Sequence, residues 1–236
     1  ILMRINEIYS SLQGEGLLAG TPSVFIRITG CNLRCHWCDT PFTSWEPTGK
    51  QMTIPEVLRV VEKHEQRHVV VTGGEPLLFN ETVDLCNQLR HQSYHVTIET
   101  AGTVIPQSFG NEIHSDLMSI SPKLSSSSPD TNTSLSWSKR HQASRRQDDI
   151  LRSLIASGPW QMKFVIETRE DLDEADAWIQ DLQLQHRHGV IFMMPQGISK
   201  DHLSRTCAWL SNACKQRGYR LANRHHIEWF GNTRGT

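Results

Sequence analysis

The sequence predicts an α/β fold, an incomplete (β/α)6 barrel of the TIM type, in a single domain over residues 3–236. Strand-like and helix-like stretches alternate through six steps, the order that lays parallel strands in one sheet with helices packed outside it. Six units fall short of the eight that close such a barrel, so the sheet is expected to stay open. Within the strands apolar residues recur with period two, and charged residues occupy the other face. That face is expected to line a polar lumen; the competing expectation is that it meets bulk solvent.

The first strand is expected at 24–29, with Val24, Ile26 and Ile28 on one face and Phe25, Arg27 and Thr29 on the other. Thr53 and Glu56 make a capping box for a helix carrying Val57, Leu58 and Val61. A strand at 68–72 and a helix near 80–92 follow. In the next strand, 94–99, Val96 and Ile98 face one way and Thr97 and Glu99 the other. A short strand at 117–121, a helix at 148–157 and a strand at 161–166 come next. Leu172, Ala175, Ile179 and Leu182 recur at helical spacing. A strand at 189–194 precedes a long helix carrying Leu203, Cys207, Leu210 and Cys214, and a last strand is expected at 219–229. The stretch 124–146 differs: it holds Ser125 to Ser128 and Pro129, then Lys139, Arg140, Arg145 and Arg146. Such a composition buries little and is expected to form a long mobile loop, either a solvated insertion or a basic ligand-binding loop.

Composition narrows the function classes. In 236 residues, 37% are hydrophobic and 21% charged, which is polar for a globular chain but not disordered. The 24 basic and 25 acidic residues give a net charge of −1, so no basic field points to nucleic acid. No apolar run approaches the ~20 residues of a membrane span. Ile1 and Leu2, ahead of Met3, are set aside and no secretory signal is expected; one clustered thiol site with scattered thiols elsewhere is the pattern expected of a reducing cytoplasm.

Six cysteines are present, and their spacing matters more than their number. Cys31, Cys35 and Cys38 form Cys-x3-Cys-x2-Cys directly after a strand, while Cys86, Cys207 and Cys214 are scattered at apolar helix positions and are expected to be structural. Clustered thiolates suit iron–sulfur clusters or zinc. Three thiolates on a four-iron cluster leave one iron open. Zinc would need a fourth ligand, and His36, lying between Cys35 and Cys38, is badly placed to join their ring.

The triplet, with Trp37 before its last cysteine, resembles the signature of radical S-adenosylmethionine (SAM) enzymes, and Thr72-Gly73-Gly74-Glu75-Pro76 resembles their glycine-glycine-glutamate motif. Further motifs narrow the likeness: Leu12-Gln13-Gly14-Glu15-Gly16, Cys38-Asp39-Thr40, Glu99-Thr100-Ala101-Gly102-Thr103, Ser121-Pro122-Lys123, Met194-Pro195-Gln196-Gly197 and the closing 229–235. Together they resemble the 7-carboxy-7-deazaguanine synthase family over nearly the whole chain.

The resemblance implies a radical SAM barrel with a [4Fe-4S] cluster on Cys31, Cys35 and Cys38. SAM would chelate the open iron and be cleaved to a 5′-deoxyadenosyl radical. Trp37, Gly74, Ser121, Pro122, Lys123 and Gln196 would form its site. The implied reaction is ring contraction of 6-carboxy-5,6,7,8-tetrahydropterin to 7-carboxy-7-deazaguanine with loss of ammonia, a step toward queuosine and other deazapurines. SAM would be regenerated. Magnesium would sit at Thr40, sharing the substrate carboxylate, because one hydroxyl alone is a poor site for a hard ion. The expected partners are the small pterin, an electron donor such as flavodoxin or ferredoxin, and a second copy in a homodimer.

The substrate carries a carboxylate and a guanidine-like edge. Arg27 offers a planar cationic fork for the first. Glu15 and Glu99 can accept from the second, while Leu12, Gln13, Gly14 and Thr72 complete the pocket. His226 and the terminal Thr236 are assigned by resemblance to shorter family members, in which the terminal residue and a nearby histidine reach the substrate. Alternatives stay open: Glu15 as a loop charge, Glu99 paired structurally with Lys163, Lys163 itself in the lumen, Trp37 as a packing residue and His226 as a structural histidine. Ala101 departs from the family, which is expected to carry Asn there. The competing functions are a radical SAM activase of a glycyl-radical protein and a non-catalytic iron–sulfur or zinc protein.

Overall fold

The computed structural model describes residues 2–110, 114–187 and 190–236, apart from the Thr133 side chain. Its strands are β1 (Met3–Leu12), β2 (Pro22–Ile28), β3 (Lys50–Met52), β4 (His68–Gly73), β5 (His95–Thr100), β6 (Leu117–Ile120), β7 (Trp160–Ile166), β8 (Ile191–Pro195) and β9 (Arg220–Leu221). Its helices are α1 (Pro41–Ser44), α2 (Ile54–Val61), α3 (Asn80–His91), α4 (Thr131–Ser144), α5 (Asp148–Ala156), α6 (Arg169–Asp181), α7 (Lys200–Arg217) and α8 (His225–Phe230). The sheet runs β3-β1-β2-β4-β5-β6-β7-β8-β9. From β2 to β9 all pairs are parallel, while β1 pairs antiparallel with both β2 and β3. The two edges stay apart, so the barrel is incomplete, as the six-unit count predicts.

The expected alternation holds. Val24, Ile26 and Ile28, with Val69 and Val71 and with Val96 and Ile98, are buried in the core beneath the outer helices. Each such side chain stabilises the fold by about 1.5–3 kcal/mol when fully buried. A one-residue slip of β2 would lose three of them and drive Arg27 into the core, which fixes the register. Parallel pairing then sets Arg27 beside Thr72, and Glu99 beside Ser119, which neighbours Gln161. The capping box of α2 forms, with the Thr53 backbone N–H donating to Glu56 at 2.7 Å. Gly189, where the strand expected at 189–194 begins, lies outside the described residues.

Two expectations are corrected, and one strand is new. The new strand is β1: a bulge between Ile5 and Glu7 breaks its alternation, so the sequence carries no period-two signal there. The last strand is only Arg220–Leu221. The chain then turns into α8, where His225 stacks on Trp229 at 5.2 Å and pairs with Glu228 at 2.9 Å, contacts that helical spacing brings together. The stretch 124–146 is no loop. It forms a short turn at Ser125–Ser127 and then α4, capped by Asp130, which accepts from the Asn132 N–H. α4 is held by polar and stacked contacts instead of an apolar stripe: His141 is fully buried, Trp137 covers Arg34, and Arg145 reaches Glu174 at 2.7 Å. Those contacts leave no hydrophobic period to read.

Candidate active site

A cavity of about 730 Å³ opens at the C-terminal ends of the parallel strands. At one end stand Cys31, Cys35 and Cys38, in the loop after β2. This loop braces itself. The Arg34 guanidinium donates to the carbonyls of Cys31 and Leu33 at 2.7 Å each, and the Trp45 indole donates to the Cys35 carbonyl at 3.0 Å. Gly73 (φ +147°) and Gly74 allow β4 to approach it: a Cβ on Gly73 would strike the Ile28 carbonyl, and one on Gly74 the Gly30 carbonyl and Cys31. The glycines therefore serve the closeness of the two loops as well as access to the cavity. Glu75 lies entirely buried, accepting from Thr100 Oγ1 at 2.7 Å and from the Ala101 and Leu77 N–H groups at 2.8 and 3.0 Å. Burial raises its pKa despite those donors. Ala101 thus completes this turn through its backbone, without a side-chain amide.

The donor set fits a cluster. Burial pushes the thiols of Cys31 and Cys35 up to about 12 in the metal-free protein, and a coordinated metal would reverse that by deprotonating them. All three thiols are soft, share one cavity and leave its remainder open. Among the described residues no three His, Cys, Asp or Glu side chains gather to hold a single metal ion. Three thiolates that each take a separate iron have no need of such a focus.

The other end is charged. Lys163 on β7 is almost fully buried and bridges Glu15 at 2.9 Å and Glu99 at 3.3 Å. Arg224 reaches Glu15 at 3.3 Å, Asp39 at 2.5 Å and the Gly197 carbonyl at 2.7 Å. Gln13 donates to Glu99 at 3.3 Å and accepts from the Glu15 N–H at 3.1 Å. Burial acts to raise the Glu15 carboxyl, but Lys163, Arg224 and His226 outweigh it and hold it well below the usual carboxylate range. Burial likewise acts to lower Lys163, and the two carboxylates hold it above its ordinary value. Both groups are therefore charged at neutral pH.

Arg27 lines the cavity but already has partners: its Nε donates to Glu7 at 2.8 Å and its Nη2 to the Tyr9 hydroxyl at 2.9 Å. Arg234 holds the other Glu7 oxygen at 2.9 Å and lies over Phe42 at 4.1 Å, drawing the terminal segment over the mouth.

The match to known sequences decides which chemistry this is. The pattern of the Radical SAM superfamily fits residues 25–146. A 7-carboxy-7-deazaguanine synthase of Rhodopirellula baltica is 45% identical over 233 residues, 98% of this chain and 88% of that one. One from Halobacterium salinarum is 38% identical over 232 residues, 94% and 88% of the two chains. The chain belongs to the 7-carboxy-7-deazaguanine synthase family of radical SAM enzymes.

The fold of this family member also matches the crystal structure of QueE from Escherichia coli, with a TM-score of 0.70 and 24% identity over 95% of each chain. Membership brings the cluster and SAM as the enzyme's cofactors. Of the residues expected at the site, Leu12, Gln13, Gly14, Glu15, Arg27, Trp37, Thr40, Thr72, Gly74, Glu99, Ser121, Lys123, Gln196, His226 and Thr236 all line the cavity with the three cysteines. Pro122 does not: it is buried between Ser121 and Lys123, the latter donating to the Ser121 carbonyl and hydroxyl at 2.9 Å each and lying 5.9 Å from the Trp37 ring. His226 reaches the cavity from a helix instead of a strand, packed on Gly14 and 3.9 Å from Glu15. Sequence reasoning misses Glu7, Tyr9, Asp39 and Arg224. Asp39 stands within the Cys38-Asp39-Thr40 motif; Arg224 carries no local signal at all.

Proposed function

We propose that this enzyme converts 6-carboxy-5,6,7,8-tetrahydropterin to 7-carboxy-7-deazaguanine with loss of ammonia. One observation carries the reading: a single cavity is lined both by three soft thiols and by the Glu15–Lys163–Glu99 bridge with Arg27. Cys31, Cys35 and Cys38 would hold the cluster, and Trp37, Gly74, Ser121, Lys123 and Gln196 would face SAM. Bound together, cluster and SAM supply hydrogen-atom abstraction. The chain's own groups do the rest. Glu15, held anionic by Lys163 and Arg224, accepts from the N–H edge of the pterin together with Glu99. Arg27 takes its carboxylate through donors not committed to Glu7 and Tyr9. Leu12, Gln13, Gly14 and Thr72 shape the pocket, and His226 and Thr236 close it.

Magnesium fits only as an ion shared with substrate. Thr40 Oγ1 gives one oxygen, 3.8 Å from Cys38 Sγ, while the Asp39 carboxylate is taken by Arg224. A hard cation keeps several waters and asks little of the protein. Thr40→Val should abolish the magnesium response without changing SAM affinity; an unaltered magnesium titration would remove Thr40 from the site. An electron donor such as flavodoxin or ferredoxin, a homodimer and a cytoplasmic setting belong to the same reading. No helix among the described residues is long and apolar enough to cross a membrane.

The test is anaerobic reconstitution, followed by mass spectrometry of the products from SAM with the tetrahydropterin. Deazaguanine carboxylate and ammonia are expected. SAM cleavage without either product would overturn the proposed substrate.

A further inference from the structure

The polar stretch 124–146 packs against the cluster loop on both sides of Cys35. The backbone N–H groups on either side of Cys35 are both claimed by it: Arg34 N–H donates to His141 Nδ1 at 3.1 Å, and His36 N–H donates to the Ser127 carbonyl at 3.0 Å. Since Nδ1 accepts, Nε2 carries the proton and donates to Ser127 Oγ at 2.9 Å, and Ser127 Oγ donates to the Leu124 carbonyl at 2.6 Å. Trp137 lies one helical turn before His141, on the same face of α4. Its ring lies under the Arg34 guanidinium at 4.0 Å, the same guanidinium that ties the Cys31 and Leu33 carbonyls. His141 and Ser127 are fully buried, although neither touches the cavity.

We propose that α4 is a strap that positions the cluster loop, with His141 a positioning residue that fixes the backbone around Cys35. Partners of this kind, one step behind a metal ligand, orient it, and their loss typically lowers metal affinity by about 10- to 100-fold. The two flanking N–H groups, held by His141 and Ser127, keep the Cys35 backbone from turning. This inference rests on Cys31, Cys35 and Cys38 being the cluster ligands.

The measurement is the rate of iron release to a ferrous chelator from anaerobically reconstituted protein, without SAM or pterin. His141→Ala is expected to release iron about 10- to 100-fold faster than the parent. His141→Asn places an amide oxygen where Nδ1 lies and should restore a near-parental rate. His141→Gln, whose amide lies nearer the Nε2 position, should not. Trp137→Ala changes a half-buried surface side chain and should speed release about two- to fivefold, the size of one partly exposed cation–π contact. Parental release in His141→Ala, or equal rescue by Asn and Gln, would overturn the proposal. Should His141→Ala fail to fold, unchanged release from Trp137→Ala would do the same. A parent that takes up no iron would instead remove the cluster assignment on which the strap depends.

Discussion

Cys31, Cys35 and Cys38 come from one loop of eight residues, whereas Glu15, Glu99, Lys163 and Arg224 come from four separated stretches and are held mainly by one another. On the proposed reading the thiols act only together, as the ligands of one cofactor, and each member is needed in full. The charged end is a network already satisfied within the protein, so the loss of one member leaves others partly paired. Damage should therefore be all-or-none at one end and graded at the other.

The sharpest test of that contrast is Cys35→Ala. Iron content should fall to the level of unreconstituted protein and SAM cleavage should vanish. Cys86→Ala, Cys207→Ala and Cys214→Ala should keep both. Full loading and SAM cleavage in the Cys35 variant would erase the distinction between the two ends.

Lys163→Met should have the next largest effect. It strips the cation from between two carboxylates, and breaking a buried pair from one side costs about 3–5 kcal/mol. Denaturant unfolding measures this, and Glu15→Gln added to Lys163→Met should recover part of the loss. A cost below about 1 kcal/mol would mean that the bridge behaves like a surface pair. The pH profile gives a second handle. The depressed Glu15 carboxyl contributes stability that is complete above the unfolded value of ~4.3 and is lost as pH falls from there toward its lower folded value. The raised Lys163 contributes stability that is complete below ~10.4 and is lost as pH climbs past it. Glu15→Gln should therefore flatten the acid limb of the stability curve. An acid limb as steep as the parent's would place the titration elsewhere.

The same contrast explains what could be read from the chain beforehand. The thiol end was legible because its chemistry is its spacing: Cys31, Cys35, Cys38 and Gly73-Gly74 act through neighbours in sequence. Arg27, Glu99 and Lys163 could be placed in the lumen from period-two alternation, which survives in β2, β5 and β7 because their outer faces are apolar. The partners of Arg27 could not, since β1 is bulged at Ile5–Glu7 and carries Glu7 and Tyr9 in from an unread strand. Arg224 lies 185 residues from Asp39, and nothing local marks it as the cation that joins the cluster loop to Glu15. The sequence of α4 reads as a mobile loop because histidine, serine and stacked arginine do the packing that apolar residues do elsewhere.

The smallest effect distinguishes the substrate from the network that receives it. Arg27 on β2 and Glu99 on β5 are two strands apart with β4 between them, roughly 10 Å across the sheet. They line one curved wall and do not face each other. If Arg27 takes the pterin carboxylate as proposed, Arg27→Ala removes a charge-assisted contact worth ~1.5–3 kcal/mol, or roughly 10- to 150-fold in affinity. It leaves Glu7 paired, because Arg234 still holds its second oxygen at 2.9 Å, so the fold should lose little. Glu99→Gln keeps the shape but sets a donor against the pterin N–H edge, while Lys163 retains Glu15. Pterin affinity measured beside SAM affinity separates the outcomes. Weaker pterin with unchanged SAM is expected in both variants. Normal pterin binding in both would show that the wall, though charged, is not the substrate site. Loss of SAM in both would assign it to the cofactor end, and the two halves of the cavity would have to be drawn differently.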